Sequence, residues 1–344
     1  MNTMKKLALP RLNYPFVADI HPRSSQVEDG MVRWMVGFGL LADPDLARAV
    51  QFGRFGEFTG REYPTATDDG LQLITDIFGW LFALDDLVGD TGMFGQSPAH
   101  LSRFLLWARE IMDRSSPTQH DALGALIIEN CTIEQVRLCQ ALGSATANIW
   151  QRLEARCSPP QYMRCVEAAS YYFSGLLWEA GWHSLRCTPS ATEYLVGRRF
   201  TTATPFGLAL QDVAAGYEVP PMEYHRIDIR ELNALVTLIT ALCNDIFSFP
   251  KERDEPRVIA LNFPAVLIEH EGARAQEALE RTAQLHNQLI EQYHTLEAAA
   301  RHGASPQLLR FLAALRSEMR GHYDWARHSP RYRLEHYFTG LDMT

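Results

Sequence analysis

Lysine is nearly missing from this 344-residue chain: it occurs only as Lys5, Lys6 and Lys251. Arginine carries almost all the positive charge, yet the net charge is still −9. So acidic a chain lacks the basic surface that nucleic-acid phosphates require, which argues against nucleic acid as a general partner. A small anionic substrate is not excluded, because bound cations can reverse a local field. Cysteine is also sparse. Cys131, Cys139, Cys157, Cys165, Cys187 and Cys243 form no CxxC pair and share no spacing with histidines. They read as scattered thiols of a cytoplasmic protein. The segment Met1–Pro10 has two lysines but only a three-residue apolar run, too short for a signal peptide. No stretch approaches the roughly 18 uncharged apolar residues of a membrane span. A glycine-rich nucleotide loop, an internal repeat and low-complexity sequence are absent too.

Apolar residues are abundant, at 47% of the chain with 10% aromatic, enough for a large core. Their spacing is helical: Ile74, Ile77, Leu81 and Leu84 recur at three and four, as do Leu235, Leu238, Ile239 and Leu242. Stretches near 119–157, 160–186, 222–249, 266–302 and 306–328 follow the same period. Sustained strand-like alternation does not occur. Gly and Pro clusters punctuate the chain without any shift in composition. The expectation is an all-α, single-domain bundle of ten to twelve helices over residues 13–344, with residues 1–12 as a flexible tail.

Two runs stand out chemically. In Phe78-Gly79-Trp80-Leu81-Phe82-Ala83-Leu84-Asp85-Asp86, the residues Phe78, Phe82 and Asp86 are four apart, so aromatic rings lie below carboxylates on one helix face; Asp90 follows. Alone, such acidic residues would be an ordinary solvated helix end. In the second run, Asn244, Ser248 and Glu252 are also four apart. Each step of four drifts by only about 40°, so their oxygens form one stripe. A polar face on an exposed helix is the plain alternative. Leu232 to Cys243 carries no charge, however, so this helix is mostly buried and its polar groups need partners or a metal. Hard oxygens of this kind suit Mg²⁺, which shares its shell with waters and substrate phosphates. Pro250 removes a backbone donor and is expected to kink or end the helix there. His183, His322 and His328 read as structural.

With about 160 residues between them, the two motifs resemble those of bacterial class I terpene synthases, or terpene cyclases. The first resembles the family's DDxxxD aspartate-rich motif. The second resembles its NSE triad, with Lys251 just before Glu252. Tyr194 to Thr201 resembles the segment carrying a diphosphate-sensing arginine, here Arg198, which precedes Asn244 by 46 residues. Arg331-Tyr332 resembles the Arg-Tyr pair that contacts the diphosphate. The likeness runs from about Pro15 to Tyr337.

That resemblance implies a central apolar cavity and a reaction in which a prenyl diphosphate ionises to an allylic cation and cyclises. It implies three Mg²⁺ ions in the closed state, held by Asp85, Asp86 and Asp90 on one wall and Asn244, Ser248 and Glu252 on the other. Asp86 can instead pair with Arg198 on closure. Arg198, Lys251, Arg331 and Tyr332 would donate to the diphosphate, with Thr201 as linker and Thr202 as effector through its carbonyl. Phe78, Phe82, Trp325 and Trp178 would offer aromatic faces to cations. Farnesyl diphosphate is the expected substrate; geranyl and geranylgeranyl diphosphate remain open. The chain is expected to work as a monomer or homodimer. An isoprenyl diphosphate synthase would carry two aspartate-rich motifs, which the Asn-Ser-Glu pattern disfavours, and a non-catalytic scaffold would have no need of every ligand position.

Overall fold

Reciprocal capping boxes start three of the helices, and they are written in the local sequence: Thr132 with Gln135, Ser158 with Gln161, and Ser190 with Glu193. In each, the hydroxyl accepts the N–H of the third helical residue, whose own side chain accepts the cap N–H. The fold is known from a computed structural model that describes residues 6–42, 44–89, 94–95, 97–114, 131–254, 260–339 and 341. Thirteen helices of eight or more residues occur among them, close to the ten to twelve expected. They are α1 (Ser24–Gly37), α2 (Pro44–Gly53), α3 (Phe55–Glu62), α4 (Asp68–Leu87), α5 (Pro98–Arg114), α6 (Ile133–Arg156) and α7 (Pro159–Leu185). The others are α8 (Ala191–Thr201), α9 (Thr204–Ala214), α10 (Ile227–Asp254), α11 (Phe263–Glu271), α12 (Ala275–Ala300) and α13 (Pro306–His328).

Helices α4 and α10 form the centre. Ile74, Ile77, Trp80 and Leu84 of α4, and Leu232, Val236, Ile239 and Leu242 of α10, are fully enclosed. By length and composition α10 is apolar enough to cross a membrane, contrary to the expectation that no stretch would be. Most of it is covered by protein instead, notably by α12 and α13. Gly175 on α7 lies so close to the Phe200 carbonyl that a Cβ would collide with it. The missing side chain lets α7 press against the end of α8, the helix that carries Arg198.

Three expectations need correction. The stretch 266–302 is two helices, α11 and α12, because Gly272 adopts φ +67° and ends the first; glycine enters that region without a Cβ penalty. Helix α10 runs through Pro250 to Asp254. The enclosed rings of Phe247 and Phe249 hold the chain on course there, and the bond lost at proline lies only one turn from the helix end. Finally, residues 6–12 are not loose. Leu7–Ala8 pairs in parallel with Phe338–Thr339, the Ala8 N–H donates to Gln276 Oε1 at 2.8 Å, and Leu12 is buried. A two-residue strand is too short to show alternation in sequence.

Candidate active site

Helices α4, α8, α10 and α13 converge on a wide-mouthed cavity of ≈ 1890 Å³. Asp85 and Asp86, half-buried at the end of α4, sit at its mouth. The Tyr172 hydroxyl of α7 donates to Asp85 Oδ1 at 3.2 Å. Asp90 lies outside the described residues.

Across the mouth, α10 presents Asn244, Ser248, Lys251 and Glu252. Asn244 ties three distant segments together. Its Oδ1 accepts from Arg198 Nη2 at 3.0 Å, and its Nδ2 donates to the Tyr332 hydroxyl at 2.9 Å. Arg198 also donates from Nε to Asp245 Oδ1 at 3.0 Å and from Nη1 to Thr201 Oγ1 at 3.1 Å. In this arrangement its carboxylate partner is Asp245. Burial opposes the Arg198 charge, but Asp245, Tyr194, Glu179 and Glu252 together outweigh it and raise the pKa above the usual arginine value. Asp245, itself pushed up by burial, is held by Arg198, by the Tyr194 hydroxyl at 2.8 Å and by the Phe263 N–H at 3.2 Å.

Asn262, 1% exposed in the loop before α11, clamps the rest of the stripe. Its Nδ2 donates to Ser248 Oγ at 3.2 Å, Glu252 Oε2 at 3.1 Å and the Asp245 carbonyl at 2.9 Å. Glu252 therefore stays in register with Ser248 despite Pro250. Burial raises the Glu252 pKa, with the Ser248 hydrogen bond opposing. After α13 the chain returns Arg331 to the same mouth. Burial disfavours the Arg331 charge, but Asp86, Tyr332, Asp85 and Glu252 together raise its pKa. Arg331 thus feels the carboxylates of both walls, and its guanidinium carbon lies 4.9 Å from the Phe82 ring centre.

Aromatic rings line the depth of the cavity. Phe58 meets Phe78 edge-on at 4.9 Å and Trp325 at 4.6 Å; the Trp325 indole N–H is spent on the Gly53 carbonyl at 2.7 Å, leaving a purely aromatic surface. Trp178 is placed elsewhere. It packs with Trp182 at 6.0 Å and against Gly197, so its expected role as a cavity face is not met.

The family model for terpene synthase family 2, C-terminal metal binding, matches residues 76–292, which include both acidic walls and the Arg198 segment. The chain belongs to the terpene synthase family. Its similarity to (+)-(1(10)E,4E,6S,7R)-germacradien-6-ol synthase of Streptomyces pratensis is 25% identity, covering 94% of this chain and 86% of that one. (+)-T-muurolol synthase ((2E,6E)-farnesyl diphosphate cyclizing) of Roseiflexus castenholzii is 26% identical, over 95% and 94% of the two chains. Among solved structures, 2-methylisoborneol synthase from Streptomyces coelicolor A3(2), in complex with Mg²⁺ and 2-fluoroneryl diphosphate, aligns with TM-score 0.81 and 25% identity. That alignment covers 97% of this chain and 99% of the other. As a terpene synthase the chain is a lyase that breaks carbon–oxygen bonds at a phosphate.

In this terpene synthase the donor set fits Mg²⁺. The two walls offer only hard oxygens, and among the described residues no three His, Cys, Asp or Glu side chains converge into a closed cage. Such a site suits an ion that completes its shell with water and substrate oxygens. The Thr201–Ala203 link between α8 and α9 has no positive φ: Thr202 is extended at φ −89° and Ala203 stands at φ −72°. Threonine is therefore unstrained in this link. Sequence reasoning missed Asp245, Asn262, Tyr172 and Phe58. Asp245 alone left a signal, since it sits inside the Asn244–Glu252 run.

Proposed function

We propose that this chain is a Mg²⁺-dependent sesquiterpene synthase that ionises farnesyl diphosphate and cyclises the resulting cation. The observation that carries this reading is the hydrogen-bonded chain Arg198–Asn244–Tyr332 between two oxygen-rich walls at the mouth of an aromatic cavity. Farnesyl specificity is supported by the muurolol relative, which cyclises (2E,6E)-farnesyl diphosphate. A cytoplasmic setting agrees with six free cysteine thiols.

Asp85, Asp86 and Asp90 would hold metal on one wall and Asn244, Ser248 and Glu252 on the other, with three ions in the closed state. When bound, Mg²⁺ supplies Lewis acidity to the diphosphate oxygens. Arg198, Lys251, Arg331 and Tyr332 donate charge-assisted hydrogen bonds to the departing diphosphate. Their preorganisation favours the negative charge that develops as the C–O bond breaks. Thr201 is already hydrogen-bonded to Arg198, so a shift of that guanidinium toward diphosphate is transmitted to the Thr202 carbonyl. Phe78, Phe82 and Trp325 then face the cation with π-density and no nucleophile, while closure excludes water.

Two outcomes follow within this site. Asn262→Ala should keep the protein folded but raise the Mg²⁺ concentration for half-maximal rate by about 10-fold, the low end for losing a residue that orients metal ligands. A metal titration of turnover checks this, and an unchanged requirement would reduce Asn262 to a packing residue. Phe82→Leu or Trp325→Leu should shift the products toward linear and early-quenched compounds, since leucine fills space without stabilising a cation. Gas chromatography beside thermal melting separates that from packing, which would lower the melting point at constant product ratio. The activity itself is tested by supplying C10, C15 and C20 prenyl diphosphates, with and without isopentenyl diphosphate. Diphosphate release that is highest with C15 and independent of isopentenyl diphosphate is expected. Consumption of isopentenyl diphosphate would make the chain a prenyl-chain elongating enzyme instead.

A further inference from the structure

Within the same cavity, two helices bring titratable side chains together beside the aromatic rings. Glu62 ends α3; Glu318 and His322 lie one turn apart on α13. Glu62 and Glu318 are each 1% exposed and His322 is 7% exposed, and all three line the cavity. Glu62 Oε1 and His322 Nδ1 are 3.3 Å apart. Gln211 Nε2 donates to Glu318 Oε2 at 2.9 Å, and a Cβ on Gly207 would stand 3.4 Å from Glu318 Oε1. Two atoms of the cluster, Glu62 Oε2 and His322 Nε2, are buried with no hydrogen-bond partner. Phe58 and Trp325 stand edge-on to the His322 ring at 5.9 and 5.7 Å. Buried polar atoms left open cost folding free energy and call for a function.

We propose that the Glu62–His322–Glu318 cluster is a proton relay that takes a proton from one cyclised cation and returns a proton to a different carbon of the resulting neutral olefin. This rests on the cavity being the site of cyclisation. With Nδ1–H donating to Glu62 Oε1, the Nε2 lone pair is left for substrate. A carbon beside the cationic centre gives its proton to Nε2, and the C–H electron pair becomes a C=C bond. The proton returned to an olefinic carbon comes from a cluster carboxyl already exchanged with solvent, and the imidazolium gives its Nδ1 proton to the carboxylate that this leaves. The π pair forms the new C–H bond, a cation appears at the neighbouring carbon, and the base is restored. No oxidant or co-reactant is needed.

The environment suits both halves of the transfer. Burial holds the His322 pKa down to about 3, so the ring waits as a neutral base and, once protonated, is a strong acid. Burial pushes Glu318 up to about 8 and Glu62 above the usual carboxylate range, with the charge of Glu318 adding to the rise at Glu62. Burial thus favours protonated carboxyls, which carry exchangeable protons and trap a cation less readily than carboxylates.

Running the full-length enzyme in D₂O with farnesyl diphosphate and Mg²⁺ tests this, with deuterium in the volatiles counted per diphosphate released. Wild-type product should carry one deuterium at a carbon, because the cluster protons exchange before substrate binds. His322→Asn and Glu318→Gln should lower deuterium per turnover by about 10-fold or more, the scale of a lost general acid or base. Glu318→Gln, which loses an acid, should also release the neutral olefin, whereas His322→Asn, which loses the base, should release products of the cation that precedes it. Deuterium-free wild-type product, with diphosphate released normally, overturns the relay without touching the synthase assignment. Full deuterium content in a folded His322→Asn variant overturns it as well. Should either variant fail to fold, the wild-type comparison in H₂O and D₂O still decides. If no prenyl diphosphate releases diphosphate, the cyclisation reading fails, and the relay with it.

Discussion

Asn244→Ala should reduce turnover by on the order of 10²-fold or more, the scale for removing one preorganised electrostatic group. Two losses combine. The stripe gives up an oxygen ligand, and Arg198 and Tyr332 lose the side chain that joins them at 3.0 and 2.9 Å. The fold should survive, because the Tyr332 bond is worth only about 1 kcal/mol net and the charged Arg198 bond about 1.5–3 kcal/mol, and both partners still face the cavity mouth. Ser248→Ala should follow the same pattern, freeing Asn262 Nδ2 from one of its acceptors. Steady-state diphosphate release and circular-dichroism melting check both. Near-normal turnover with an unchanged Mg²⁺ requirement would remove these residues from the metal site.

Arg198→Ala should impair ionisation far more than Arg199→Ala. Successive helix positions point about 100° apart, and the difference is visible in burial: Arg198 is 13% exposed against Asp245 while Arg199 faces solvent. Removing Arg198 also leaves Asp245 buried without its cation, which costs about 3–5 kcal/mol of stability. Arg198→Lys separates the two effects. It restores a charge beside Asp245, but one ammonium cannot reproduce the fork that reaches Asp245, Asn244 and Thr201 together. Diphosphate release should therefore drop roughly 10²-fold in Arg198→Lys even with the melting point largely recovered. Arg199→Ala should remain within about twofold, as an exposed surface change. The reverse ranking would mean that Arg199 is the sensing residue.

The parts of the site that could be read in the sequence are those set by helix geometry. Asn244, Ser248 and Glu252 fall on one stripe because four residues nearly complete a turn, and the same period places Phe78 and Phe82 beneath Asp86. The parts that could not be read depend on where unrelated segments meet. Asn262 looks like an ordinary loop residue until the chain entering α11 brings it under Glu252. Glu62 belongs to α3 and approaches His322 only because α3 packs along α13. A partial signal existed in Glu318, His322 and Trp325, which follow at four and three on one face of α13; read singly, His322 passed for a structural histidine. Pro250 misled in the opposite direction, since a local rule about helix breaking yielded to enclosure by Phe247 and Phe249. Gly272 and the Leu7–Ala8 strand were lost inside longer patterns, one a helical period and the other a polar terminus.

The central claim is that prenyl diphosphate ionises at the mouth and cyclises against the aromatic wall. Its most direct test is mass-spectrometric analysis of the volatiles formed from farnesyl diphosphate and Mg²⁺, with diphosphate measured in the same vessel. The account predicts cyclic C15 products in stoichiometric balance with diphosphate, abolished by EDTA and restored by added Mg²⁺. Only linear farnesol, or diphosphate release that persists without divalent metal, would contradict it.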